Sequence, residues 1–316
     1  VPPAPRRSAL GLASRTLLSA LAVLPDRSAL SAGAAFGRAW AAAGLPRTRA
    51  ARVNLRIAFP EWSEAERERV LRESFANLGR ALVEFSWLGR RDPGELAARV
   101  RIEGAHHAAA AREQARGGGV IVLTAHFGSW ELFAAVMTTH GFPITIVQRA
   151  RDDAGLDELL QERRAESGAA YLARGSAAFG VLRALQRGNF VALLLDQNAH
   201  AKRGVFVPFF GQLAATGEAP VRLATLSGAP VLPAFLHRDR EDPLRHVAHF
   251  RPPLSLVPGE GEAAWLENAR RMTRAVEDEV RAAPEQWTWA HRRWRTRPAG
   301  EPRPPYRRPS RTPIGG

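Results

Sequence analysis

Four short apolar runs between residues 120 and 235 leave this chain few folds to choose from. They span 120–125 (VIVLTA), 143–147, 190–195 and 230–235, and the first follows Gly117-Gly118-Gly119. Each run is continuous rather than alternating and is rich in aliphatic side chains. That pattern belongs to strands buried on both faces, as in parallel sheets. Between them, residues 130–139, 156–166 and 177–187 carry helical spacing. Strand–helix alternation with short connections predicts an α/β fold with a central, largely parallel sheet flanked by helices. Residues 63–88 predict a long helix upstream, opened by a capping box of Ser63 and Glu66, with Val70, Leu71, Phe75, Leu78, Leu82 and Phe85 at core spacing. Residues 262–281 predict another helix.

The 316 residues, 45% of them apolar, suffice for one large domain or two ordinary ones. Cysteine is absent, which excludes a disulfide framework, thiolate metal sites and a thiol nucleophile. The formal charge is +14, and Lys202 is the one lysine among 45 basic residues. Such arginine bias fits a GC-rich coding sequence. A strongly basic chain also suits an acidic partner, whether nucleic acid, anionic lipid or an acidic carrier protein.

No stretch reaches the ~18 apolar residues of a membrane span. The nearest, TLLSALAVLP at 16–25, is interrupted by Arg15 and Asp26. With Leu10, Leu17, Leu21 and Leu24 on one stripe and Arg6, Arg7 and Arg15 nearby, it reads as a basic amphipathic helix at a bilayer surface. A helix packed on its own domain and a secretory signal peptide are the competing readings. Three regions are expected: a membrane-associating helical segment over 1–50, the main domain over 51–298, and a flexible Pro/Arg-rich tail over 299–316.

His126-Phe127-Gly128-Ser129-Trp130-Glu131 follows the first run directly. On one continuous helix, His126 and Glu131 would stand about 140° apart. They can meet if His126 occupies the strand-to-helix turn and Glu131 the first helical turn, which Gly128 makes easier. That turn lies at the carboxyl edge of the sheet, where open α/β folds bind ligands. A histidine oriented by a carboxylate can act as a general base, although a loop histidine without chemistry fits the same spacing. No G-x-S-x-G elbow accompanies it, so the pattern suits attack by a substrate's own hydroxyl.

No metal site is expected, because His106-His107, His200 and the histidines from 237 to 249 lack ligand spacing. No phosphate loop is present, and the three glycines precede a strand instead of following one. Trp287, Trp289, Arg292, Arg293, Trp294, Arg295 and Arg297 have the composition of a nucleic-acid face or of an interfacial belt. Nucleic acid is not the expected partner, since it would leave the HFGSWE block unused.

Several motifs recur in a recognisable order. They are Glu73-Ser74-Phe75-Ala76-Asn77-Leu78-Gly79-Arg80, T-A-H-F-G-S-W-E at 124–131, Arg149, and Leu156-Asp157 with Arg164. Asp196-Gln197, G-V-F-V-P-F-F-G at 204–211, Ala214-Ala215-Thr216, and P-E-Q-W-T-W-A-H-R-R-W-R-T-R-P at 284–298 follow. Over residues 50–298 the chain resembles the bacterial lysophospholipid-type acyltransferases of lipid A late acylation, a family that also includes phosphatidylinositol-mannoside acyltransferases. It departs from them in a less apolar N-terminus, in Q-R-A-R-D-D around Arg149, and in a shortened Thr-rich run.

The resemblance implies a glycerolipid acyltransferase-like fold and acyl transfer from a thioester, carried by acyl carrier protein or coenzyme A. The acceptor would be a hydroxyl of a lipid A precursor or other glycolipid, at the cytoplasmic face of the inner membrane, without a cofactor. His126 would be the general base and Glu131 its orienting acid. Arg149 and Arg164 would stabilise the oxyanion or grip acceptor phosphate, with surface salt bridges as the plain alternative. Asp196 would support the site or cap a loop. Phe206, Phe209 and Phe210 could line an acyl groove or pack in the core, and His291, Arg292 and Arg293 could be structural or face the headgroup. Acylation of a phosphatidylinositol mannoside from acyl-CoA is a second reading, and a non-catalytic lipid-binding protein is a third, from another class.

Overall fold

A computed structural model of the protein describes residues 9–148, 153–173, 177–259, 261–301 and 305–306. Four helices lead: α1 (Ala9–Val23), α2 (Asp26–Ala42), α3 (Pro46–Ala58) and α4 (Glu64–Trp87). A short α5 (Pro93–Ala97) introduces β1 (Val100–Glu103), α6 (Ala105–Gln114), β2 (Val120–Thr124), α7 (Trp130–Thr139) and β3 (Ile144–Gln148). Then come α8 (Ala154–Ala165), β4 (Ala170–Ala173), α9 (Ala177–Gln186) and β5 (Phe190–Leu194). The hairpin of β6 (Gly204–Phe209) and β7 (Gln212–Gly217) leads into α10 (Ala219–Ser227), β8 (Val231–Arg238), β9 (His246–Phe250) and α11 (Glu262–Ala282).

The seven-stranded sheet has the order β1-β9-β8-β2-β5-β3-β4. Strands β8, β2, β5, β3 and β4 run parallel, while β9 pairs antiparallel with β8 and carries β1 parallel to itself. The largely parallel sheet expected from the apolar runs is therefore present. Every β2 residue is buried, because alternate side chains enter cores on opposite faces. Ile121 and Leu123 join one cluster, and Val120 and Val122 join the other. This is why the run is continuous rather than alternating. The apolar-run reading missed β1, β4, β9 and the β6–β7 hairpin. Strands β1 and β4 are sheet edges, and β9 begins and nearly ends in histidine, so none has the continuous apolar signature.

Helix α4 starts at the expected capping box. Ser63 Oγ accepts from the Glu66 backbone N–H at 3.2 Å, and the Glu66 carboxylate accepts from the Ser63 N–H at 2.7 Å. Its far end is tied to the sheet by a buried ion cluster in which Arg238 of β8 donates to Glu84 Oε2 at 2.7 Å, with His246 of β9 3.0 Å from Glu84 Oε1. Burial opposes ionisation of Glu84, but Arg238 and His246 overcome it and hold the carboxyl well below its usual range.

Helix α2 buries Ala29, Gly33, Gly37 and Ala41, one every four residues, so a smooth stripe lies against α4. The backbones approach so closely that a Cβ on Gly79 would stand 1.9 Å from the Gly33 carbonyl oxygen. Helix α1 rests on α4 and α8, where Arg15 makes a two-pronged bridge to Glu162 at 2.6 and 3.1 Å. Its outer side exposes Leu12, Leu17 and Val23, with Leu24 just beyond and Phe36 of α2 also exposed. No helix of the described residues is long and apolar enough to cross a membrane. Of the Pro/Arg-rich tail, Tyr306 is docked, its hydroxyl accepting from the Trp294 N–H and donating to Asn54.

Gly79→Ala is expected to cost about 1–3 kcal/mol despite alanine's better helix propensity. Gly217→Ala, where nothing lies within 4 Å of the added methyl, is expected to stay within about 0.5 kcal/mol. Chemical denaturation of the two variants measures the difference.

Candidate active site

Strands β2 and β5 are parallel neighbours with Thr124 opposite Leu194. Two residues further on, each chain leaves the sheet at its carboxyl edge, and the residues there are His126 and Asp196. Asp196 Oδ1 lies 2.9 Å from His126 Nδ1, and Oδ2 accepts both the His126 backbone N–H at 3.0 Å and the Trp287 indole N–H at 2.9 Å. Burial alone would push the Asp196 carboxyl up. His126 and these donors outweigh it and hold the carboxyl well below its ordinary range. An ionised Asp196 can only accept in this hydrogen bond, so Nδ1 carries the proton and in the neutral ring the lone pair is on Nε2. The Gln197 carboxamide nitrogen lies against the ring, 3.1 Å from Nε2 and 3.4 Å from Nδ1.

The acid on the His126 ring is thus Asp196, which corrects the assignment of that place to Glu131. No hydrogen bond or ion pair among the described residues joins Glu131 to His126. Glu131 sits on the first turn of α7, as its spacing predicts, and its oxygens accept from Arg164 at 2.5 and 3.1 Å. Arg164 is itself largely buried and lies over the Tyr171 ring. The Trp130 and His126 rings meet edge to face, with centroids 5.2 Å apart. Arg149 lies outside the described residues. Phe209 and Phe210 are buried among Trp287, Trp289, Trp294 and Phe59, while Phe206 is half-buried.

The turn carrying His126 depends on Gly128, which has φ +55°, where a Cβ would meet the Leu236 carbonyl oxygen at 1.9 Å. The C-terminal segment straps this turn. The Gly128 N–H donates to the Gln286 carbonyl at 2.8 Å, and the Thr288 N–H donates to the His126 carbonyl at 3.0 Å. Gln286 exchanges a pair of hydrogen bonds with the Arg238 backbone. Asn77 and Asn54 fasten the strap from α4 and α3, to the carbonyls of Glu285 and of Trp289 and His291.

The strap also holds the β5 loop. His291 Nε2 accepts the Asn198 N–H at 2.8 Å, and burial pushes the His291 pKa down to about 4. Arg293 is wholly buried with no carboxylate partner among the described residues. It donates to the Ala215 carbonyl at 2.7 Å and to Thr216 Oγ1 at 2.5 Å, over the Phe209 ring. Burial lowers its pKa to about 10. His291 and Arg293 are therefore internal to the strap.

Sequence spacing predicts no ligand cluster among the remaining histidines. In the fold, His237 and His249 converge with Glu279, one ligand atom of each lying within 4.8 Å of the others.

Comparison with known proteins agrees with the motif order. Residues 7–296 match the family model for bacterial lipid A biosynthesis acyltransferases. The lipid A biosynthesis palmitoleoyltransferase of Escherichia coli K12 is 32% identical over 252 residues, 79% of each chain. The lipid A biosynthesis lauroyltransferase of the same organism is 32% identical over 257 residues, again 79% of each. Its lipid A biosynthesis myristoyltransferase is 30% identical over 305 residues, 96% of this chain and 91% of that one.

His291 is neutral in the folded protein down to about pH 4, whereas an unfolded histidine takes up a proton near 6.5. Its share of stability is present above pH 6.5 and is lost as the pH falls from there towards 4, because the unfolded state binds more protons. Urea unfolding between pH 7 and 4 should show a shallower decline for His291→Gln than for the wild type.

Proposed function

Because this chain belongs to the bacterial lipid A biosynthesis acyltransferases, and is accordingly an O-acyltransferase, we propose that it moves a fatty acyl group from acyl carrier protein to a hydroxyl of a lipid A precursor, with His126 as general base. The supporting observation is the Asp196 clamp, in which the carboxylate on Nδ1 favours the ring proton there and leaves Nε2 as the basic nitrogen. The acceptor hydroxyl gives its proton to Nε2 as its oxygen attacks the thioester carbonyl. The C–S bond then breaks, and the departing thiolate takes the proton from the imidazolium. Asp196 stabilises that imidazolium without leaving its three hydrogen bonds.

Negative charge on the tetrahedral oxygen needs fixed positive partners. Helix α7 begins at Trp130, and Ser129 at its N-cap makes no side-chain cap, so the dipole of its first turn serves there. Glu131 acts through Arg164, holding the guanidinium in one orientation for the oxyanion or the acceptor's phosphate. Arg149 is assigned to the same phosphate by the motif alone. The apolar outer side of α1, together with the +14 charge, supports attachment to an anionic membrane surface at the cytoplasmic face.

The purified chain, given acylated carrier protein and a lipid A precursor, should release free carrier thiol and add one acyl mass to the lipid. His126→Ala should slow both by about 10²–10⁴-fold with the fold intact, which is the usual worth of a general base. Lipid binding without thiol release, or undiminished turnover in His126→Ala, would overturn the proposal.

A further inference from the structure

His237 of β8 and His249 of β9 occupy one face of an antiparallel pair whose register sets Phe235 opposite His249 and His237 opposite Val247. The two histidines are thus diagonal neighbours, and their rings stack with centroids 4.3 Å apart. Glu279 of α11 comes down on them, 4% exposed, and its carboxylate contacts His237 Nε2. We propose that His237, His249 and Glu279 form a binding site for one divalent transition-metal ion of the zinc class, joining β8, β9 and α11.

Four observations carry this. First, the donor set is two imidazoles and a carboxylate, each offering a ligand atom within 4.8 Å of the other two, which is a common set for zinc. Second, His249 Nε2 lies 3.2 Å from Glu103 of β1, so it donates its ring proton there. The lone pair is then on Nδ1, and Nδ1 is buried without a hydrogen-bond partner. A carboxylate behind a ligating histidine is the usual arrangement for fixing a metal-binding tautomer.

Third, Glu279 is buried and both histidines are half-buried, which shields the site from bulk water. Fourth, the position has structural leverage. The His237 ring packs 4.7 Å from Phe127, the residue after His126. Binding replaces the His237–Glu279 hydrogen bond: the Nε2 proton leaves to solvent, Nδ1 takes one up in its place, and Nε2 and the carboxylate then bracket the ion. Arg251, which donates to both Glu279 oxygens at 2.9 and 3.0 Å, has a half-exposed side chain and can remain on the outer oxygen.

The test uses the full chain, freed of any affinity tag and stripped with chelator, then dialysed against dilute Zn²⁺. One equivalent should be retained, with a rise in unfolding temperature. Cobalt substituted for zinc should give the visible absorption of a four-coordinate ion. His249→Ala and Glu279→Gln should each lose the retained equivalent and the thermal shift. Retention of no metal by the wild type, or equal retention by both variants, would overturn the site.

Discussion

One carboxylate holds the candidate active site together. Asp196 accepts three hydrogen bonds, from the His126 ring, the His126 backbone and the Trp287 indole, and so binds the ends of two strands and the C-terminal segment into one unit. Hydrogen bonds to a charged group contribute about 1.5–3 kcal/mol each. Their larger effect here is geometric. The same contacts that keep a buried carboxylate ionised also assign the ring proton of His126 and set where its free lone pair points.

The rest of the architecture serves that arrangement. The parallel sheet delivers His126 and Asp196 side by side, because the β2–β5 register continues past the last paired residues. The strap at 284–298 crosses their edge, with Trp287, Trp289, Trp294 and Arg293 among the most fully buried side chains of the molecule. A guanidinium buried with only carbonyl and hydroxyl acceptors is costly. What it gains in position is the joining of the strap to β7 and to the loop after β5. Helix α4 closes the unit from below, through Asn77 on the strap and Glu84 on the sheet.

Much of this was legible in the residues. Continuous apolar runs exposed the parallel centre of the sheet, and the capping box marked the start of α4. The position of His126 also followed, since a histidine directly after a buried strand must lie at the carboxyl edge. Its partner was harder to see. Glu131 is close in sequence but turns towards Arg164, whereas Asp196 is seventy residues away and comes near only through strand pairing. A local signal did exist: two six-residue apolar runs, 120–125 and 190–195, are each followed directly by a polar residue able to do acid–base work. Reading them as adjacent requires the strand order, which pattern alone does not supply. The convergence of His237, His249 and Glu279 was hidden for the same reason, since it depends on the β8–β9 register and on where α11 lands.

The +14 charge takes on a narrower meaning once the ion pairs are placed. Many arginines are bound in bridges such as Arg15–Glu162, Arg164–Glu131 and Arg238–Glu84, and Arg293 is internal. Those bridges cancel charge one for one, so the net excess is carried by arginines outside them and serves an anionic surface, while the chemistry rests on the geometry of one histidine. Nitrogen NMR of the chain labelled with ¹⁵N-histidine reads that geometry most directly. At neutral pH, His126, assigned by comparison with His126→Ala, is expected to carry its proton on Nδ1 with a bare Nε2. In Asp196→Asn that preference should be lost. A His126 resonance showing the proton on Nε2 in the wild-type protein would contradict the central claim.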